Sequence, residues 1–394
     1  MKKATRSTMP IEGKKLAILF FVSFLLIYYF SSPPENTVYD YFTRLADALL
    51  HGKLYLSENP PWLNELIPGG DAKFFVPYPP MPAIILMPFR LILSDFPQQF
   101  IAHILGAGTV TLSVILSQTV FPKQKKTHVW IGFFVGLSTT LWFLSSVGSS
   151  WYLGQVSAAF FLTAALVSGL KNKPVATGIF LGAAYLSRVH LIFTLPLFVY
   201  ILWDKNRNIK KIFNLIIALS PFVLTNFAYN LVRFGVIWDK GYLLIPGVLD
   251  EPWYDLGLVH PSYIIRHLKI IFMSFPVYKS EFPYVFPSWN GLALWITTPA
   301  IIFALLNSFK NKLVRAIWSV VTVTSLPILM HGTYGFAQFG YRFFIDLLPL
   351  FVLLLIYSLN KTSLKKVHWL LLLTGIVVNF WGVFWINKMG WVVL

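Results

Sequence analysis

The feature that most constrains this chain is the recurrence, along its 394 residues, of apolar stretches close to the length of a bilayer crossing. A helix needs about 20 apolar residues to span the hydrocarbon core. Such stretches occupy 16–31, 100–121, 129–147, 155–170, 175–187, 191–203, 212–230, 289–306, 314–330, 343–357 and 367–386. A further run, 81–93, is apolar but short and interrupted by Pro82 and Pro88. It reads either as a half-helix or as an irregular span, which gives eleven or twelve crossings. Charged residues make up only 12% of the chain, against about 25% in a soluble domain. The sequence therefore predicts an all-α polytopic membrane protein, a single embedded domain over 1–394. Tyr28-Tyr29-Phe30 stands where a signal peptide would need small residues for cleavage, so the first run is expected to remain as a span. With no cysteine, disulfides, thiol catalysis and cysteine metal sites are excluded.

The net charge of +17 would suit a nucleic-acid binder, but its placement argues otherwise. Twenty of the 32 Lys and Arg fall in six clusters: the N-terminus (Lys2, Lys3, Arg6, Lys14, Lys15), 123–126, 171–173, 205–211, 310–315 and 361–366. These lie at alternate loops if 81–93 does not fully cross, and the positive-inside rule puts them, with the N-terminus, in the cytoplasm. The charge then reports topology, and no nucleic-acid partner is expected. Two long loops, 32–80 and 231–288, face outward and carry 11 of the 15 acids. Connections of that length in a compact protein are usually functional, so the working face is expected outside.

In the first outer loop, Val38, Phe42, Leu45 and Leu49 recur at helical spacing, and Asp40, Arg44, Asp47 and His51 recur on another face. Gly52 closes the pattern as a C′ glycine does. The expectation is an amphipathic helix with its apolar face down on the membrane. Asp40 has a structural explanation, because Thr37-Val38-Tyr39-Asp40 fits a capping box and Asp40 can pair with Arg44 one turn on. It has a catalytic one as well, as a carboxylate placed just outside the first span. The proline-rich entry to 81–93, which includes Tyr78, is stiff and reads as a loop-to-helix joint or as one wall of an outward cleft.

Taken in order, these segments resemble the GT-C superfamily of polytopic glycosyltransferases, among them protein O-mannosyltransferases and lipid A aminoarabinose transferases. The resemblance is carried by Asp40 on its surface helix, the 45–56 segment LADALLHGKLYL, the 78–89 segment YPPMPAIILMPF, Gly154-Gln155, the glycine-rich 178–188 segment ending in Arg188, the 229–235 segment YNLVRFG with Gly241-Tyr242, and the 340–349 segment GYRFFIDLLP. It covers most of the chain. It implies a GT-C-like bundle with a surface helix in outer loop one, a bacterial plasma-membrane setting, a polyprenyl-phosphate-sugar donor, and a glycan, lipid or protein acceptor. Here Asp40 is flanked by Tyr39 and Tyr41, where many members carry a second acid nearby.

The resemblance implies single displacement with inversion: an acceptor hydroxyl attacks and lipid phosphate leaves. That chemistry needs a general base and positive charge at the departing phosphate. Asp40 is the expected base, with Asp47 in reserve and Arg44 keeping Asp40 ionised. Arg188 and Arg342, each at the outer end of a span, are the expected phosphate ligands, since guanidinium binds phosphate bidentately. The structural alternatives are an interfacial anchor for Arg188 and an ion pair with Asp346 for Arg342. His190, beside Arg188, is either a further donor or structural. Tyr78, Gln155, Tyr242 and Tyr341 complete the expected binding set. His260, His267 and His331 lack metal-ligand spacing, so no tightly bound metal or other cofactor is expected. The competing readings are a transporter or lipid flippase, disfavoured by the absence of an internal repeat, and a catalytically inactive protein of the same fold.

Overall fold

The structure is a computed structural model that describes residues 11–204, 208–335 and 337–393. The basic residues Lys2, Lys3, Arg6, Lys205 and Arg207 lie outside the described residues. Among the described residues the chain is all-α apart from two short two-stranded pairings in the two long loops 32–80 and 231–288, Ile67–Pro68 with Phe74–Phe75 and Val277–Tyr278 with Val285–Phe286. Six helices among the described residues are long and apolar enough to cross a membrane: Ile11–Phe30, Gln98–Val120, Ser150–Leu170, Ile209–Phe234, Lys312–Leu329 and Lys366–Met389. Lys125–Leu137 and Leu141–Val147 form a seventh, bent by 53° at its break. Met81–Ile92, Pro174–Ser187, Val189–Trp203 and Leu348–Lys361 are shorter apolar helices. The expected span 289–306 is split into Leu294–Thr297 and a 3-10 segment, Pro299–Leu306. The chain is thus a multi-pass membrane protein.

Hydrogen bonds fix which helix ends lie together. Lys125 Nζ donates to Glu12 at 2.6 Å, so the N-terminal segment and the 123–126 cluster share one end of the bundle. Trp130 Nε1 donates to the His368 carbonyl, which brings the 361–366 cluster to that end. At the opposite end Asn387 donates to the Ser31 carbonyl and Lys388 to that of Ser32. The helix Met81–Ile92 stays at this second end. Arg90, in its last turn, makes a bidentate pair with Asp47 at 2.8 and 2.6 Å. Gln98, six residues beyond Ile92, donates to the carbonyls of Tyr39 and Gly148. Twelve residues rise only about 18 Å, too little for a crossing, so the half-helix alternative holds for 81–93.

Glycine sets one close helix contact. A Cβ at Gly178 would meet the Leu215 carbonyl, and one at Gly182 would meet the Phe222 ring. Pro174–Ser187 therefore lies flush against Ile209–Phe234, and Arg188 leaves its helix end at a fixed depth.

The surface helix runs Tyr41–Leu50 and ends at Gly52 with φ +70, as the C′ reading requires. Its apolar face does not lie on lipid. Phe42 and Leu45 are buried within the protein beneath the proline-rich segment and Met81–Ile92, while Val38 stands exposed ahead of the helix. The apolar stripe was legible, but the protein supplies its cover.

Candidate active site

Two clefts flank the surface helix. The first is an open cavity of about 560 Å³ lined chiefly by polar side chains, including Asp40, Thr43, Arg44, Asp47, Arg90 and Gln98. Asp40 occupies the N-cap position of the helix but makes no capping bond, so the expected capping box does not form. Its Oδ1 accepts from Arg44 Nε at 2.8 Å. Arg44 also pairs with Glu58, and Asp47 is committed to Arg90.

The second cleft is a narrow slot of about 20 Å³ lined by Phe42, Tyr78, Trp151, Arg188, Tyr242, Arg342 and their neighbours. Arg188 follows the last turn of Pro174–Ser187 in extended backbone, and its Nε donates to Asp346 Oδ2 at 3.1 Å. His190 Nε2 lies 3.2 Å from the same oxygen. Asp346 is fully buried. The expected pair of Arg342 with Asp346 is therefore corrected: the short 3-10 segment Arg342–Asp346 leaves Asp346 to Arg188 and His190, residues 158 and 156 positions away in sequence.

Arg342 is held by Gln155 instead. Its Nη1 donates to Gln155 Oε1 at 3.1 Å, and Gln155 Nε2 donates to the Arg342 carbonyl, also at 3.1 Å. Its backbone N–H donates to Gln338. The guanidinium stands 4.9 Å from the Phe343 ring centroid and 5.7 Å from that of Tyr152. Its Nε is buried without a partner. Among the described residues no carboxylate forms an ion pair with Arg342. An intramembrane or interfacial cation so placed ordinarily marks a functional site.

The structure thus brings together Tyr78, Arg188, Tyr242 and Arg342, with Gln155 and His190 behind them. Asp40, Arg44 and Asp47 are gathered in the other cavity. Tyr341 faces away, its hydroxyl 2.8 Å from His267 Nδ1. Between the two clefts lies a thin wall in which Gln98 and the Ser150 hydroxyl both donate to the Tyr39 carbonyl.

Glu65 went unrecognised in the sequence. Its backbone N–H donates to the Tyr41 hydroxyl at 3.1 Å, and its carboxylate accepts from Trp151 Nε1 at 3.1 and 3.3 Å. Burial pushes its pKa up to about 7, against the opposing pull of the Trp151 hydrogen bond and of Arg342. The same site drives up the phenols of Tyr41, Tyr242 and Tyr254, in each case first through burial and then through neighbouring charges that include Glu65. A lone acid between buried Leu63 and buried Leu66 and Ile67 was the signal available.

No family model matches the sequence, and no curated protein matches it. Among solved structures the chain is similar to ArnT from Cupriavidus metallidurans in the apo state, at 12% identity and a TM-score of 0.46, over 92% of this chain and 63% of that one. It is similar also to the Archaeoglobus fulgidus oligosaccharyltransferase in the apo form, at 12% identity and a TM-score of 0.47, over 95% of this chain and 56% of that one. The chain spans less than two thirds of the length of either.

Proposed function

We propose that this protein is a membrane glycosyltransferase that moves a hexose or pentose from a polyprenyl-phosphate donor to an acceptor hydroxyl at the outer face, with inversion. The observation that carries the reading is Arg342, a buried guanidinium with an unpartnered Nε and no carboxylate of its own, set beside Arg188 in an aromatic slot. Two guanidiniums over one buried carboxylate leave net positive charge where a phosphate would bind. The aromatic walls suit a prenol and a sugar face. The slot has room for about one water, so donor entry requires the outer loops to part from the bundle.

In this reaction the acceptor oxygen bonds to the anomeric carbon, the bond from that carbon to the phosphate oxygen breaks, and lipid phosphate departs with the electron pair. The hydroxyl proton passes to a carboxylate of the first outer loop. Asp40 is the candidate drawn from the resemblance, and it lines a polar cavity that fits a hydrophilic acceptor.

The test is transfer from a panel of radiolabelled polyprenyl-phosphate sugars by the purified chain in nanodiscs. Turnover with at least one donor, lost in Arg342→Ala and lowered in Asp40→Asn, supports the reading. Absence of turnover with every donor removes it, and equal turnover in Asp40→Asn removes Asp40 as base.

A further inference from the structure

We propose that Glu65, rather than Asp40, accepts the proton of the attacking hydroxyl. This assignment rests on the glycosyltransferase reading. A base must stand at the site of bond exchange, within hydrogen-bond reach of the proton it takes. Glu65 stands one side chain behind the slot, bonded to Trp151, whose indole N–H donates to both of its carboxylate oxygens and which lines the slot with Arg188 and Arg342; it comes within that reach when the slot widens for the donor. Tyr41, which receives the Glu65 backbone N–H, packs edge-on against Tyr78 at 5.3 Å, in the wall of the same slot. Asp40 is turned to the other cavity across the wall built by Gln98, Ser150 and Tyr39, and Arg44 holds it there.

The charge environment agrees with the geometry. Among the described residues no Lys or Arg forms an ion pair with Glu65, so its second lone pairs remain free for a substrate hydroxyl. The groups that act on it are Arg342, which favours the anion, and Glu251, which opposes it; burial is the largest influence. Tyr41, Tyr242 and Tyr254 face it as neutral phenols. A carboxyl that titrates near neutrality can take a proton during attack and release it afterwards. In the balanced step, the acceptor O–H proton moves to Glu65 as the acceptor oxygen bonds to the anomeric carbon and lipid phosphate leaves. The proton then passes from Glu65 to water.

The experiment measures transfer from an active polyprenyl-phosphate sugar between pH 5 and 9, together with binding of unsubstituted polyprenyl phosphate, for the parent, Glu65→Gln, Glu65→Asp and Asp40→Asn. The expected result is a fall in kcat of at least about 100-fold in Glu65→Gln, the range of a lost general base. Lipid-phosphate binding in that variant stays within about threefold of the parent, and Glu65→Asp recovers part of the rate. The parent rate rises with pH through about 7. Asp40→Asn keeps that midpoint and raises the acceptor KM. Parental turnover in Glu65→Gln, or loss of lipid-phosphate binding along with turnover in both Glu65 variants, overturns the assignment while leaving the transferase reading intact. A parent that turns over no donor overturns both.

Discussion

Gln155 grips Arg342 at both ends, accepting from the guanidinium through its Oε1 and donating through its Nε2 to the Arg342 carbonyl, each at 3.1 Å. One side chain on the helix Ser150–Leu170 thereby fixes both the backbone and the charge of a residue nearly two hundred positions away. A neutral amide steadies the cation without neutralising it, which a carboxylate in the same place would do.

Replacing Gln155 by Leu keeps the volume and removes both bonds. The Arg342 Nη1 then loses its acceptor in a buried place, at a cost of about 1–3 kcal/mol. The expected outcome is a lower Tm in detergent and a raised Kd for polyprenyl phosphate. A thermal shift assay and equilibrium binding measure the two effects.

Arg342→Lys keeps the charge and loses the planar fork. Charge-assisted hydrogen bonds contribute about 1.5–3 kcal/mol, so polyprenyl-phosphate affinity is expected to drop by roughly 10- to 150-fold. Arg342→Ala is expected to lose more, and the salt dependence of binding to weaken with it. Titration of the labelled lipid phosphate at two ionic strengths decides this.

Asp346→Asn breaks the link from the fully buried Asp346 to Arg188 and His190. Removing one partner of a buried pair costs about 3–5 kcal/mol. Arg188 keeps some solvent access, so the loss is expected towards the lower figure. The variant should melt earlier than the parent, and the double variant Asp346→Asn with Arg188→Gln should recover part of the difference.

Glu65 also gives a stability signature. Its folded pKa lies above that of an unfolded glutamate, so the folded state binds the extra proton. Stability then falls as pH rises from about 4.5 to about 7. Glu65→Gln removes that slope. Its Tm is expected to exceed that of the parent at pH 8, with the gap closing at pH 5. A gap that widens towards acid pH contradicts the shift.

On the proposed function the slot widens to admit a donor. Tyr78 and Tyr242, whose rings lie 6.4 Å apart, belong to the two different long loops. The chain has no cysteine, so Tyr78→Cys with Tyr242→Cys can be bridged by a short thiol-cleavable cross-linker. Lipid-phosphate binding is expected to vanish on cross-linking and to return on reduction. Binding that persists in the bridged protein would show that the donor enters elsewhere.

Much of this architecture was legible because it is written in local pattern. The apolar runs, the basic turns, the stripe of Phe42 and Leu45, and the terminating Gly52 all announce themselves within a few residues. The pairings at the site do not. Nothing near Asp346 in sequence distinguishes Arg342 at i−4 from Arg188, and the choice is made by a tight 3-10 turn and by the depth at which two glycines seat a neighbouring helix. Glu65 escaped notice for the same reason. Its character comes from Trp151, which reaches it from another segment, and a single acid in a loop carries no trace of that. Asp40 stood out by position after the first span, yet only the packed wall of Gln98 and Ser150 shows which cleft it serves.

Arg233 bears on how the outer surface was assembled. Its guanidinium lies 3.5 Å from the Tyr229 ring centroid on its own helix, forms no ion pair with a carboxylate among the described residues, and donates to the Val76 carbonyl in the 32–80 loop and to Asn230. A Cβ on Gly241, at the start of the second loop, would strike the neighbouring Pro77 carbonyl. The two loops therefore inherit a common seat from one membrane helix. Replacing either loop would need the 229–241 stretch and the 76–78 stretch to travel together, because each is shaped to the other's backbone.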